Sequence, residues 1–240
     1  MPLDDRDARR YIENRIIRVK PCSAMAIVDI DFEWPVAVGG YEVHDYGPRS
    51  DEPTLLTADL SGLHLDPKSS ELERRRPLAD EPYLFLLFAD TAQHADGARE
   101  FASRFGLLLG TLRNPAGGEA VWLWLHHIQR FRLLVDIWQS GNPAELLWQV
   151  DPDDLRPASI AGGLSWREGR PRLALRPNSL LSAMRLQFFQ AVAELKEIKA
   201  CDGCGKWFER GPGKARRAKS RFCSDQCRFD FHNARKGIAS

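Results

Sequence analysis

A chain of 240 residues, 43% hydrophobic and 28% charged, has the composition of a globular protein with room for one mid-sized domain and a small appendage. It has no run of about 18 consecutive apolar residues and its opening, MPLDDRDARRYIENR, lacks a secretory apolar stretch, so neither a transmembrane helix nor an export signal is expected. The formal net charge of +1 conceals an asymmetry: residues 201–240 hold ten Lys/Arg and four Asp/Glu, a net of +6, whereas residues 1–200 hold 24 against 29, a net of −5.

The first eighty residues read as strands and loops. Arg15 to Lys20 and Met25 to Phe32 are rich in Ile and Val with partial alternation. Trp34 through Pro53, broken by Pro35, Gly39, Gly40, Gly47 and Pro48, reads as turn and loop. The charged run from Lys68 to Asp80 reads as a solvated loop or a short helix. Two long helical patterns follow. Tyr83 to Leu109 carries apolar residues at three- and four-residue steps, with Gly97 marking a bend, and Glu119 to Gln139 carries a wide stripe that predicts a largely buried helix. The tryptophans at 122, 124, 138, 148 and 166 read as core, with a pocket lining as the alternative. Ser159 to Leu175 alternates as a hairpin, and a helix capped by Asn178 or Ser179 runs from Leu180 to about Lys199, leading directly to Cys201. The fold class expected is α+β, divided into residues 1–199, ending in a connecting helix over about 179–199, and a small module over 200–240.

Four of the five cysteines lie in that module, in the pattern C-x2-C-x18-C-x3-C; the fifth, Cys22, reads as a small buried apolar residue. In a cytoplasmic protein, where thiols stay reduced, such clustering favours metal over disulfides. Cys201, Cys204, Cys223 and Cys227 form a four-thiolate set suited to one structural, tetrahedral zinc ion. Gly203 and Gly205 allow the tight turn that aims the first two sulfurs at one point. The second pair, four apart, falls on one helical face, with Ser224 as cap and Asp225 in the first turn. Lys206 to Phe208 reads as one strand, Gly211-Pro212-Gly213 as a turn and Arg221-Phe222 as a returning strand. Knuckle, hairpin and ligand-bearing helix describe a treble-clef-like finger, and binding of the ion would supply folding free energy that so small a core lacks.

Lys214, Arg216, Arg217, Lys219 and Arg221 lie between the two cysteine pairs, and Arg228, Asn233, Arg235 and Lys236 follow the second. A rigid module presenting cations in this density suits a phosphate backbone, with Asn233 able to read a base edge. Phe229 and Phe231 read as core, with a base stack or wedge as the alternative, and His232 as a surface or phosphate-contacting residue. The run from Cys201 to Lys236 resembles the C-terminal zinc finger called CGNR, found in bacterial proteins behind an N-terminal domain called ABATE. The resemblance rests on Cys201, Cys204 with Gly205, Phe208, the basic stretch, Cys223-Ser224 and Cys227; Cys227-Arg228-Phe229-Asp230 stands where that family has Cys-Gly-Asn-Arg. It implies a DNA-binding transcriptional regulator whose N-terminal domain senses a ligand or partner, or dimerises, with RNA as another target. The alternative is a zinc-stabilised module that binds protein, not nucleic acid. No nucleophile elbow, phosphate loop or HExxH is present, and an enzyme is not expected.

Overall fold

A computed structural model of the chain describes residues 29–47, 60, 62–110, 118–141, 160–167, 169–211 and 214–237; the segment from Arg15 to Lys20, Cys22 and Trp148 lie outside the described residues. The fold is mixed α+β, with six helices and several small sheets among the described residues. None of those helices is long and apolar enough to cross a membrane.

Within the stretch read as turn and loop, Trp34–Ala37 and Tyr41–Asp45 instead form strands, and residues 48–53 lie outside the described residues. β1 (Asp29–Ile30), β2 (Trp34–Ala37), β3 (Tyr41–Asp45), β4 (Leu63–Pro67) and β5 (Leu72–Arg75) precede α1 (Pro77–Asp80). The glycines and prolines that suggested loop serve the connections: Gly39 and Gly40 have φ of 92° and 78°, where side chains are disfavoured, and turn β2 into β3. Pro35 sits within β2 in a two-stranded sheet with β5, an edge position that tolerates its missing N–H. The charged run contributes the exposed strand β5 and the short α1, each anchored by few apolar residues.

The long helical pattern divides as α2 (Leu84–Ala89) and α3 (Ala95–Phe105), but the break falls at Asp90 to His94, ahead of Gly97. His94 caps α3 by accepting the Gly97 N–H on Nδ1 at 3.1 Å. β6 (Glu119–Ala120) then leads into α4 (Val121–Gln139). The wide apolar stripe of α4 is buried as expected, with Trp124, Ile128 and Phe131 at its centre. Phe88 of α2 meets Trp124 and Phe131 of α4 and Phe101 of α3 edge to face, with centroids 5.0–6.1 Å apart. Each such buried side chain contributes roughly 1.5–3 kcal/mol. Beside this core the Glu119 carboxylate accepts the N–H groups of Leu108, Leu109 and Gly110 at 2.6–2.9 Å, closing the chain after α3.

β7 (Ile160–Arg167) and β8 (Arg170–Pro177) form the expected hairpin, and β1 pairs in parallel with β8. Ser179 caps α5 (Leu180–Ala193) through its side chain, and Phe188 of that helix stacks edgewise on Phe85 and Trp138. The helix does not reach Lys199. It ends at Glu194, and Leu195 takes a left-handed φ of 51° while 79% exposed, a conformation that stops a helix in an L-residue. The chain then enters the cysteine module as a strand, β9 (Glu197–Ala200), paired antiparallel with β10 (Trp207–Arg210); α6 (Asp225–Gly237) completes the described chain.

Candidate metal centre

Two strands and one helix end position the four cysteines. β9 and β10 pair with Ala200 opposite Trp207, so the six residues between them form a tight knuckle holding Cys201 and Cys204. Within it the Gly205 N–H donates to the Cys201 carbonyl at 2.9 Å, and Gly205 adopts φ 72°, which favours glycine. At Gly203 a Cβ would lie 2.9 Å from the Cys227 carbonyl oxygen, so a side chain there would push the two halves of the site apart. The hairpin is therefore made by the strand before the knuckle; Arg221 and Phe222 form no strand, although the Asp202 N–H bonds the Arg221 carbonyl at 3.0 Å. The second pair is not carried wholly on a helix. Cys223 precedes it, Ser224 accepts the Cys227 N–H at 3.0 Å in the manner of a cap, and Cys227 lies in the first turn of α6.

All four sulfurs lie within 4.8 Å of one another, with Cys204 Sγ 3.6 Å and Cys227 Sγ 3.5 Å from Cys223 Sγ. A tetrahedral zinc site with Zn–S bonds of about 2.3 Å requires sulfurs about 3.8 Å apart, so the donor set and its spacing fit that ion. Cys201 is buried and accepts N–H groups from Gly203 and Cys223 at 3.4 and 3.3 Å. Burial pushes its thiol up, but the backbone N–H groups of Cys223, Cys204 and Gly203 prevail and bring its pKa to about 6. The Cys223 thiol, desolvated and beside the three other sulfurs, is pushed up to about 12. Without a cation, one thiolate in the cluster suppresses ionisation of its neighbour; a divalent ion at the centre removes that conflict.

The basic residues around this centre divide into two sets. Arg216 donates to the Cys223 carbonyl at 2.9 Å and to Asp225 at 3.1 Å, bracing the second cysteine pair. Arg221 bonds Asp202 at 2.6 Å, Lys214 pairs with Glu209 at 3.0 Å, and Arg228 approaches Asp225 at 3.8 Å. Arg217 and Lys219 are exposed and have no partner among the described residues, and Asn233 is exposed on α6. Arg235 and Lys236 fall in the last turn of α6, their side chains outside the described set. Of the three aromatic residues near them, Phe231 and Phe222 stack at 5.2 Å with His232 against both rings, while Phe229 is 62% exposed. The expectation of a core role holds for Phe231 and is overturned for Phe229.

The sequence reading missed how the module is anchored. Trp207 and Ile198 pack against the main core, and the Trp207 side chain lies beside Asp90 at the end of α2, where it favours the charged carboxylate. Arg132 of α4 donates to the carbonyls of Ala89 and Thr91 at 2.6 and 2.7 Å on either side of that aspartate. Alternation over Glu197-Ile198-Lys199 was the available sign of a strand there. No family model, no curated protein and no solved structure matches the chain.

Proposed function

We propose that the protein is a zinc-finger nucleic-acid-binding protein, a bacterial DNA-binding transcriptional regulator in which residues 200–240 grip the nucleic acid and residues 1–199 sense a ligand or partner. The observation that carries this reading is a four-cysteine centre beside two cations that have no partner among the described residues, in a segment of net charge +6 that follows 200 residues of net charge −5. Arg217 adjoins Arg216, whose guanidinium is held on the Cys223 carbonyl, and Lys219 shares a cleft with Arg216 and Arg228, a placement that suits contact with a phosphate backbone. The ion pairs of Arg216, Arg221 and Lys214 give those residues a structural part as well, which makes them poor probes of binding.

The test is a gel shift with the metal-loaded full chain, comparing wild type with the Arg217→Ala/Lys219→Ala variant at two salt concentrations. The variant should bind duplex DNA more weakly, and its log–log salt slope should be shallower by about 1.8 if two phosphate contacts are lost. Unchanged affinity and slope would remove these two residues from the interface, and no binding to DNA or RNA by the wild type would end the reading.

A further inference from the structure

Phe229 stands in an unusual place for a large apolar side chain. Two residues along an α-helix turn through about 200°, so Phe229 lies nearly opposite both Cys227, which holds the metal centre, and Phe231, which packs on Phe222. It is 62% exposed, whereas those two are half-buried. The ring is therefore not needed to close the small core of the module. Asn233, one turn on, is exposed on the same side, and Asp225, one turn back, is exposed at the helix start.

That start borders a cleft of about 260 Å³ lined by Arg216, Lys219, Arg221 and Arg228, with Phe222 and Asp225 also in its wall. Arg216 and Arg228 share Asp225 and Arg221 pairs with Asp202, so the four cations outnumber their two carboxylates and the cleft, with Lys219 in its wall, suits an anionic group. Arg228 and Asp225, both in its wall, are respectively the neighbour of Phe229 and the residue four positions, about 6 Å of helical rise, before it. The cationic cleft thus ends at Arg228, the residue that immediately precedes Phe229 in α6, with Phe229 itself outside its wall. A solitary exposed apolar residue is common on proteins; one flanked by a cationic cleft matches the two ends of a nucleotide.

Resting on the nucleic-acid reading above, we propose that Phe229 is a stacking platform for an unpaired base, with the adjoining cleft holding the phosphate of the same strand, so that the module prefers single-stranded over fully paired nucleic acid. A duplex keeps its base faces covered, whereas a single strand presents them to any aromatic ring. The cations supply affinity without regard to sequence, and the ring supplies the preference for an exposed base.

The experiment is fluorescence anisotropy of the metal-loaded full chain with a labelled single-stranded oligonucleotide and with its duplex, for wild type, Phe229→Ala, Phe229→Trp and Arg217→Ala/Lys219→Ala. Phe229→Ala should weaken single-strand binding about tenfold and duplex binding much less, with an unchanged salt slope and melting temperature. Phe229→Trp should restore the single-strand affinity. If Phe229→Ala binds the single strand as wild type does while Arg217→Ala/Lys219→Ala binds it weakly, the stacking role fails and the nucleic-acid reading survives; the exposed ring then fits a protein contact. If the wild type binds neither oligonucleotide, both fall together.

Discussion

The indole of Trp207, on the strand that leaves the metal knuckle, lies beside Asp90, the residue that ends α2 in the main core, and favours its charged form. The pairing ties the cysteine module to the rest of the fold through a side chain that also packs on the core. Asp90 is held there by its surroundings: burial pushes its carboxyl up, and the Trp207 N–H and the Arg132 guanidinium pull it back.

Trp207→Ala should therefore loosen the module without emptying the metal site. Full truncation of a buried Trp costs about 3–5 kcal/mol, and for this half-buried ring a loss nearer 2 kcal/mol is expected. Hydrogen exchange should show faster amide exchange in β9 and β10, with α4 little changed and metal content retained. Equal acceleration throughout the chain would mean that the indole supports the whole core and not the junction.

Removal of the metal should have a local effect. Chelation, or Cys204→Ser, should abolish binding of one equivalent of metal and reduce helical circular dichroism by the share that α6 contributes, leaving the aromatic core around Phe88 folded. Gly203→Ala should do part of the same, because its methyl group would press on the Cys227 carbonyl. Metal analysis and far-ultraviolet spectra of the variants check both; full metal content in Cys204→Ser would contradict the assignment of that ligand.

Glu119 gives the fold a pH dependence of known sign. Burial raises its carboxyl above the ordinary range, and the N–H groups of Leu109, Leu108 and Gly110 oppose that rise. The folded state thus holds the proton more tightly than the unfolded one, so this residue's contribution is most favourable below the unfolded pKa of about 4.3 and declines as pH rises towards the folded value. Compared by urea denaturation at pH 4 and pH 7, Glu119→Gln should be less stable than wild type at both, since an amide cannot accept all three N–H groups. The gap should be narrower at pH 7. A gap that widens with pH would reverse the assigned shift.

What the sequence disclosed depends on how local the cause was. The four cysteines, the knuckle glycines and the Ser224 cap act over a few residues, and their spacing alone places the ligands in one cluster. The stripe of α4 and the hairpin of β7 and β8 were equally plain, because periodicity records which face is covered. β2 and β3 were hidden by the prolines and glycines around them, since their pairing depends on β5, 35 to 41 residues away, and on β4, 18 to 26 residues away. The exchange of helix for strand at Glu197 follows from the partner β10 and the turn at Leu195, neither of which the letters of α5 announce. Nor does composition reveal that Arg216 braces the Cys223 carbonyl whereas Arg217, its neighbour, is free of partners among the described residues.

The four sulfurs are not equally sheltered. Cys201 is 3% exposed and clasped by two backbone amides, whereas Cys204 is open to solvent. A chelator or an oxidant arriving from solution meets Cys204 first, so the site has a vulnerable side and a protected one. Its dismantling under stress would begin at the turn of the knuckle, with Cys201 the last point of attachment to be lost.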